Sequence, residues 1–215
     1  MIFAVLALLG TGMQQGIADR LAGRVPHDVG AVVESLSTRA AARKLPIDPL
    51  IQKAIEGSAK GIPSARVIAA VRVVAMQLDT AAAGLEGSSL GSDTVAIAAG
   101  EFAVTAGLSG RDIARLARSG AAPADVILGL RVAGTLAALG VPPAQTVTLV
   151  TTTLQSGDPA AELLALPMRV QGEVSRGTTP AQAAAGLARA AAAQTRRGPP
   201  PGRGTPAHPQ PPPHP

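Results

Sequence analysis

The sequence predicts an all-α protein: an array or bundle of about nine to ten short helices packed as antiparallel hairpins, ending in a disordered proline-rich tail. Three observations point there. Apolar residues recur at helical spacing through the middle of the chain. Glycine followed by proline punctuates those stretches. Beyond residue 195 the composition turns to proline and arginine.

At the N-terminus, Met1 to Leu9 form an unbroken apolar run, followed by Gly10-Thr11-Gly12. The run is far shorter than the roughly 20 residues a membrane-spanning helix needs. Gly16 and Ala18 stand at −3 and −1 to a cleavage before Asp19, and Gly10 and Gly12 offer a second site. Residues 1–18 are therefore expected to be a signal peptide, residues 19–195 the helical domain and residues 196–215 the tail. No Lys or Arg precedes the run, so an uncleaved interfacial anchor and a buried first helix stand as alternatives.

Within the domain, Leu50, Ile51, Ala54 and Ile55 form one face of a short helix, with Asp48 expected as N-cap and Pro49 at the first position. Residues 64–78 follow, with Val67, Val71, Val74 and Leu78 forming a stripe from which Arg66, Arg72 and Gln77 are absent. Between them, Gly61 can adopt the left-handed conformation that ends a helix, and Pro63 pre-sets φ for the next. Similar junctions at Gly120 and Gly177 precede helices expected over 124–139 and from 181 to about 193, the latter with Thr179 as N-cap. Other breaks fall at Gly107-Leu108-Ser109, Gly140-Val141-Pro142-Pro143 and Gly157-Asp158-Pro159. The spacing of Gly61, Gly120 and Gly177, 59 and 57 residues, suggests α-solenoid-like repetition.

Two stretches test the all-α reading. Residues 126–139 are apolar nearly all round apart from Arg131, which suits a central buried helix too short to span a bilayer. Residues 146–154 (TVTLVTTTL) have strand propensity, but Val147, Val150 and Leu154 at helical spacing after two prolines argue for helix. The tail, with nine prolines in residues 198–215, cannot bury enough surface to offset its ordering entropy.

Composition limits chemistry more firmly than it suggests any. The chain has no Cys, Trp or Tyr, and its two Phe are Phe3 and Phe102. Thiolate catalysis, disulfides and Cys-based metal sites are excluded. His27 lies beside Asp28 and shares a helix face with Glu34, an arrangement that a helix start explains without catalysis. No HExxH, EF-hand, phosphate loop or dinucleotide fingerprint occurs, so no catalytic, metal or cofactor site is assigned. His208 and His214 lie in the tail. Ser109 reads as a helix cap rather than part of a phosphate cradle, and Arg111, Arg115 and Arg118 line one helix face, read as solvated with Asp112 paired to Arg115, with a phosphate-tracking stripe as the alternative.

The formal charge is +5, with nine Lys/Arg against five Asp/Glu between residues 19 and 72. A basic first third can face an anionic surface, and Arg20, Arg24, Arg39, Arg43 and Lys44 are the candidate polyanion-binding residues. With no Tyr or Trp and one Phe in the domain, stacking on nucleic-acid bases has little to work with. The expectation is a non-enzymatic, exported scaffold or interaction protein of the bacterial cell envelope, periplasmic or secreted, with a protein partner, no cofactor and no transmembrane span. The alternative is a cytoplasmic basic protein binding nucleic acid or another polyanion.

Overall fold

A computed structural model describes residues 16–156 and 159–197. The apolar N-terminal run and residues 198–215 of the expected tail lie outside these residues, while 196 and 197 are the last residues of a helix. Ten helices and no strand occur among the described residues, as the sequence predicts. They are α1 (16–21), α2 (His27–Ala42), α3 (Asp48–Ala59), α4 (Ser64–Leu85), α5 (Thr94–Thr105), α6 (Gly110–Ala117), α7 (Pro123–Ala138), α8 (Pro143–Leu154), α9 (Pro159–Ser175) and α10 (Pro180–Arg197).

From α2 onward each helix packs mainly on the next and the next but one. Helices α2, α4, α6, α8 and α10 pack side by side as one layer, and α5, α7 and α9 do so in a second layer laid over it. Helix α3 joins this second layer, but it packs on α2 and α4 and not on α5. This is the connectivity of an α-solenoid, in which a unit touches only its neighbours. The apolar core lies between the layers, built almost wholly from Ala, Val, Leu and Ile, with Leu50, Leu78, Ile97, Leu130, Leu149 and Leu163 among its fully buried members.

The turns from the second layer back to the first share one geometry. Helices α3, α5, α7 and α9 end in Gly61, Gly107, Gly140 and Gly177, all with φ between 66° and 107°. In each, the residue after the glycine donates its N–H to a carbonyl five residues back, as Leu108 does to Ala103 at 3.1 Å and Val141 to Leu136 at 3.1 Å. The glycine N–H bonds three residues back, completing a Schellman motif. Only one further residue separates this position from the next helix, or its N-cap, so each pair turns sharply. Positive φ costs an ordinary L-residue about 1–2 kcal/mol, which is why glycine stands at these corners. Lys44 makes the same motif after α2 with φ 57°, the one non-glycine residue so placed among those described.

This geometry corrects the period suggested by sequence. Gly61, Gly120 and Gly177 precede α4, α7 and α10, three helices apart and in alternating layers. The structural unit is a two-helix hairpin, and its equivalent corners are Gly61, Gly107, Gly140 and Gly177. Gly120 belongs to a looser connection, from α6 to α7, without the paired Schellman bonds.

Local expectations fare well with two exceptions. Ser109 and Asp112 form a reciprocal capping box, and Thr179 does the same with Gln182. Residues 143–154 are helical: Thr148, Thr152 and Thr153 donate their hydroxyls to carbonyls four residues back, which satisfies them within the helix. The first exception is Asp48, which lies inside α3 and caps nothing; its carboxylate instead accepts a hydrogen bond from Arg20 at 2.7 Å. The second is Asp112, whose carboxylate is turned back onto Ser109 and makes no ion pair with Arg115. Helix α4 also runs seven residues beyond the expected end, to Leu85. By length and composition it alone among the described helices is apolar enough to cross a bilayer, yet here it is central, packed on α2, α3, α5 and α6.

Candidate functional site

Because α3 and α5 do not pack together, the second layer has a gap, and α4 forms its floor. This groove has a volume of about 480 Å³. Gln52, Lys53 and Glu56 on α3 make one wall, Glu101, Phe102 and Thr105 on α5 make the other, and Val73 and Gln77 of α4 lie between. Val73 is 45% exposed and Phe102 43%, although both are large and apolar. The Phe102 ring lies against Gly134 on α7, where an added Cβ would sit 2.5 Å from it.

The groove carries two unlike carboxylates. Glu101 is half-buried, and desolvation raises its pKa above the usual carboxylate value, with a hydrogen bond from Thr105 at 3.0 Å and the charge of Lys53 opposing the shift. Glu56 is exposed and shifts the other way: its hydrogen bond from Lys60 holds its pKa down, helped by the charge of Lys53, 3.4 Å away. One wall thus offers a mixed-charge rim, and the other an aromatic ring beside a carboxylate that resists ionisation. Such a surface can accept an apolar side chain and hydrogen-bond its flank. No nucleophile–base pair is arranged on these walls.

The residues singled out by sequence do not gather into one site. Arg20 is paired with Asp48 at 2.7 Å and Arg43 with Asp79 at 2.5 Å. Arg39 reaches back to the Ser35 carbonyl at 3.4 Å, and Arg24 and Lys44 are exposed without an acidic partner among the described residues. His27 and Glu34 border the same hollow between α1 and α2, but no hydrogen bond or ion pair joins them. His27 and Asp28 are exposed. Arg111, Arg115 and Arg118 are exposed and line one face of α6 and its end. No group of three or more His, Asp or Glu able to hold a metal occurs among the described residues, and His208 and His214 lie outside them.

Two surfaces escaped the sequence reading. The groove does so because no local pattern reports that α3 and α5 stand apart. The other is the outer side of α9, where Leu164 is 64% and Met168 72% exposed, one turn apart. Comparison of the chain with known protein families, curated proteins and solved structures finds no match.

Proposed function

We propose that the chain is a non-enzymatic helical scaffold that binds a protein partner through the groove between α3 and α5, and that it does so as an exported protein of the bacterial cell envelope. The observation that carries the binding reading is the interrupted outer layer, which leaves Val73 and Phe102 open beside Lys53 and Glu101. Burying the part of each side chain that is still exposed is worth about 0.7–1.5 kcal/mol, roughly half the value for a whole side chain, and exposed apolar surface in a concave setting is the usual mark of a docking site. Rigid layers on either side fix the groove before a partner arrives, which limits the entropic cost of binding.

Export rests on the apolar run of residues 1–9 and the small residues after it. Affinity capture from the native envelope fraction tests both halves together. The unaltered chain is expected to retain a specific polypeptide that Val73→Glu loses, while Met168→Glu on α9 retains it. Equal capture by the unaltered chain and Val73→Glu overturns the groove. Intact Met1 on soluble cytoplasmic protein overturns export.

The second reading, a cytoplasmic basic protein gripping nucleic acid through Arg20, Arg24, Arg39, Arg43 and Lys44, is weakened by the ion pairs of Arg20 and Arg43. A carboxylate already paired to a guanidinium must be displaced before a phosphate can take its place.

A further inference from the structure

Helices α4, α6, α8 and α10 differ from α3 and α9 in how they treat their charges, although α2 in the same layer carries exposed Asp28 and α7 in the other carries exposed Arg131. On α3 and α9, and at their ends, cations stand beside acids: Lys53 and Lys60 flank Glu56, Arg169 meets Glu162, and Arg176 meets Glu173. On α4, α6, α8 and α10 the exposed residues include Arg66, Arg72, Arg111, Arg115 and Arg189, and the two acids among their described residues are Asp79, its side chain 47% exposed, and Asp112. Arg118 follows directly after α6. None of these six arginines makes an ion pair among the described residues. The carboxylates within the four helices are already engaged, Asp79 by Arg43 and Asp112 by Ser109, and Glu86 lies past the end of α4.

We propose that this arginine-bearing layer docks on the surface of a bilayer containing anionic phospholipid. Guanidinium groups without an ion pair can meet lipid phosphates without first displacing a carboxylate, Arg189 only turning from the Ala185 carbonyl to which it donates at 3.3 Å. Helix α8, between α6 and α10, carries no charged residue at all, so nothing acidic interrupts the face between those two. The hollow between α8 and α10 is lined by Ala144, Thr148, Thr152, Ala185 and Ala188 with Arg189 at its side, a low surface of small groups. Met76 is 60% exposed one turn beyond Arg72, so an apolar side chain accompanies the cations and can enter the headgroup region.

Two other occupants fit less well. The chain's own segment beyond α10 brings Arg203 and no acidic residue, so the same face does not attract it. Nucleic acid would find phosphate contacts but no aromatic ring for its bases, since Phe102 lies on α5 in the opposite layer. The inference adds a second surface to the proposed scaffold and does not depend on the groove.

The full chain is tested by co-sedimentation with phosphatidylcholine vesicles containing about one-third phosphatidylglycerol, against pure phosphatidylcholine. Binding is expected to the anionic vesicles and to fall as salt rises from about 50 to about 200 mM. Each arginine near such a surface contributes about fivefold, so the triple variant Arg72→Ala, Arg111→Ala, Arg115→Ala should bind roughly 100-fold more weakly. The corresponding triple Arg→Lys variant should bind as the unaltered chain does, which separates charge from folding. Arg131→Ala, on α7 in the other layer, should change nothing. Equal binding by the unaltered chain and the triple alanine variant overturns the inference, as does equal binding to neutral vesicles. Tighter binding to duplex DNA than to anionic vesicles, lost in the same triple variant, also overturns it. The neutral groove variant Val73→Gln should leave vesicle binding intact while disturbing the groove, so failure of the groove reading and failure of this one are distinguishable.

Discussion

Replacing Gly84 with alanine tests how closely the layers are seated. Gly84 lies in the last turn of α4, where α6 crosses it. A Cβ at that position would stand 2.7 Å from the Gly110 carbonyl oxygen and 2.8 Å from Cβ of Ile113. Neither neighbour is the free end of a flexible side chain. One is backbone at the start of α6, and the other is the branch point of a fully buried isoleucine. Overpacking of this kind costs about 1–3 kcal/mol, and backbone on one side places the cost at the upper end. Alanine recovers up to about 1 kcal/mol through its better helix propensity. The net expectation is a loss of about 1–2 kcal/mol, or a melting temperature lower by roughly 2–8 °C for a chain of this length. Gly186→Ala is the matched control. Gly186 lies within α10 with nothing within 4 Å of an added Cβ, so only the propensity gain operates and the melting temperature should rise by about 2–4 °C. Thermal melts followed by circular dichroism read both. A Gly84→Ala variant as stable as Gly186→Ala would refute the close crossing of α4 and α6.

Four further outcomes follow from particular residues. Pro167 lies inside α9, where it removes one helical hydrogen bond and crowds the preceding turn, so Pro167→Ala should stabilise by about 1–2 kcal/mol in urea titration. At Lys44 the left-handed conformation costs about 1–2 kcal/mol, and glycine's extra unfolded-state entropy returns about 0.4–1 of that. Lys44→Gly should therefore be slightly more stable, with an unchanged denaturant slope. Because burial raises the Glu101 pKa, the stability it contributes is complete below the ordinary glutamate value of about 4.3 and is lost as pH rises through the raised value. Glu101→Gln should abolish that decline and exceed the unaltered protein in stability at pH 7. Ile17 is 2% exposed within α1, so cleavage before Asp19 would strip a core residue, whereas cleavage after Gly12 spares it; if the chain is exported, N-terminal sequencing of mature protein should begin at Met13.

Helix identity and helix ends were legible because their causes are local. The stripe Val67, Val71, Val74, Leu78 is buried as its spacing requires, and Ser109 and Thr179 cap as their side chains allow. The threonine-rich α8 was legible only through its apolar spacing, since propensity pointed to a strand. What decided it is tertiary: Val147, Val150 and Leu154 are all buried, and a strand would have divided them between two faces. Asp48 shows where local reasoning ends. Its cap role was plausible from sequence, but Arg20, twenty-eight positions earlier, holds the carboxylate instead.

The groove and the arginine face were not legible for a related reason. A hairpin corner is encoded by a glycine and the residue after it, but the layer in which each helix falls depends on how many such corners precede it. Sequence groups Arg111, Arg115 and Arg118 on one helix face but does not connect them with Arg72 or Arg189. That connection comes only when α4, α6 and α10 fall in one layer. Conversely, Arg20 and Arg43 belong to a basic segment in sequence and lose their excess charge to Asp48 and Asp79 once the chain folds. On the proposed membrane docking, net charge along the chain and unpaired charge on the folded surface point to different places. The quantity that locates the proposed docking face is unpaired charge per helix layer, which shifts the expectation from the first third of the chain to the face formed by α4, α6 and α10. Neutralising Arg24, Arg39 and Lys44 together should consequently weaken vesicle binding less than neutralising Arg72, Arg111 and Arg115, at equal loss of formal charge; the reverse order would show that sequence position, and not layer, governs the contact.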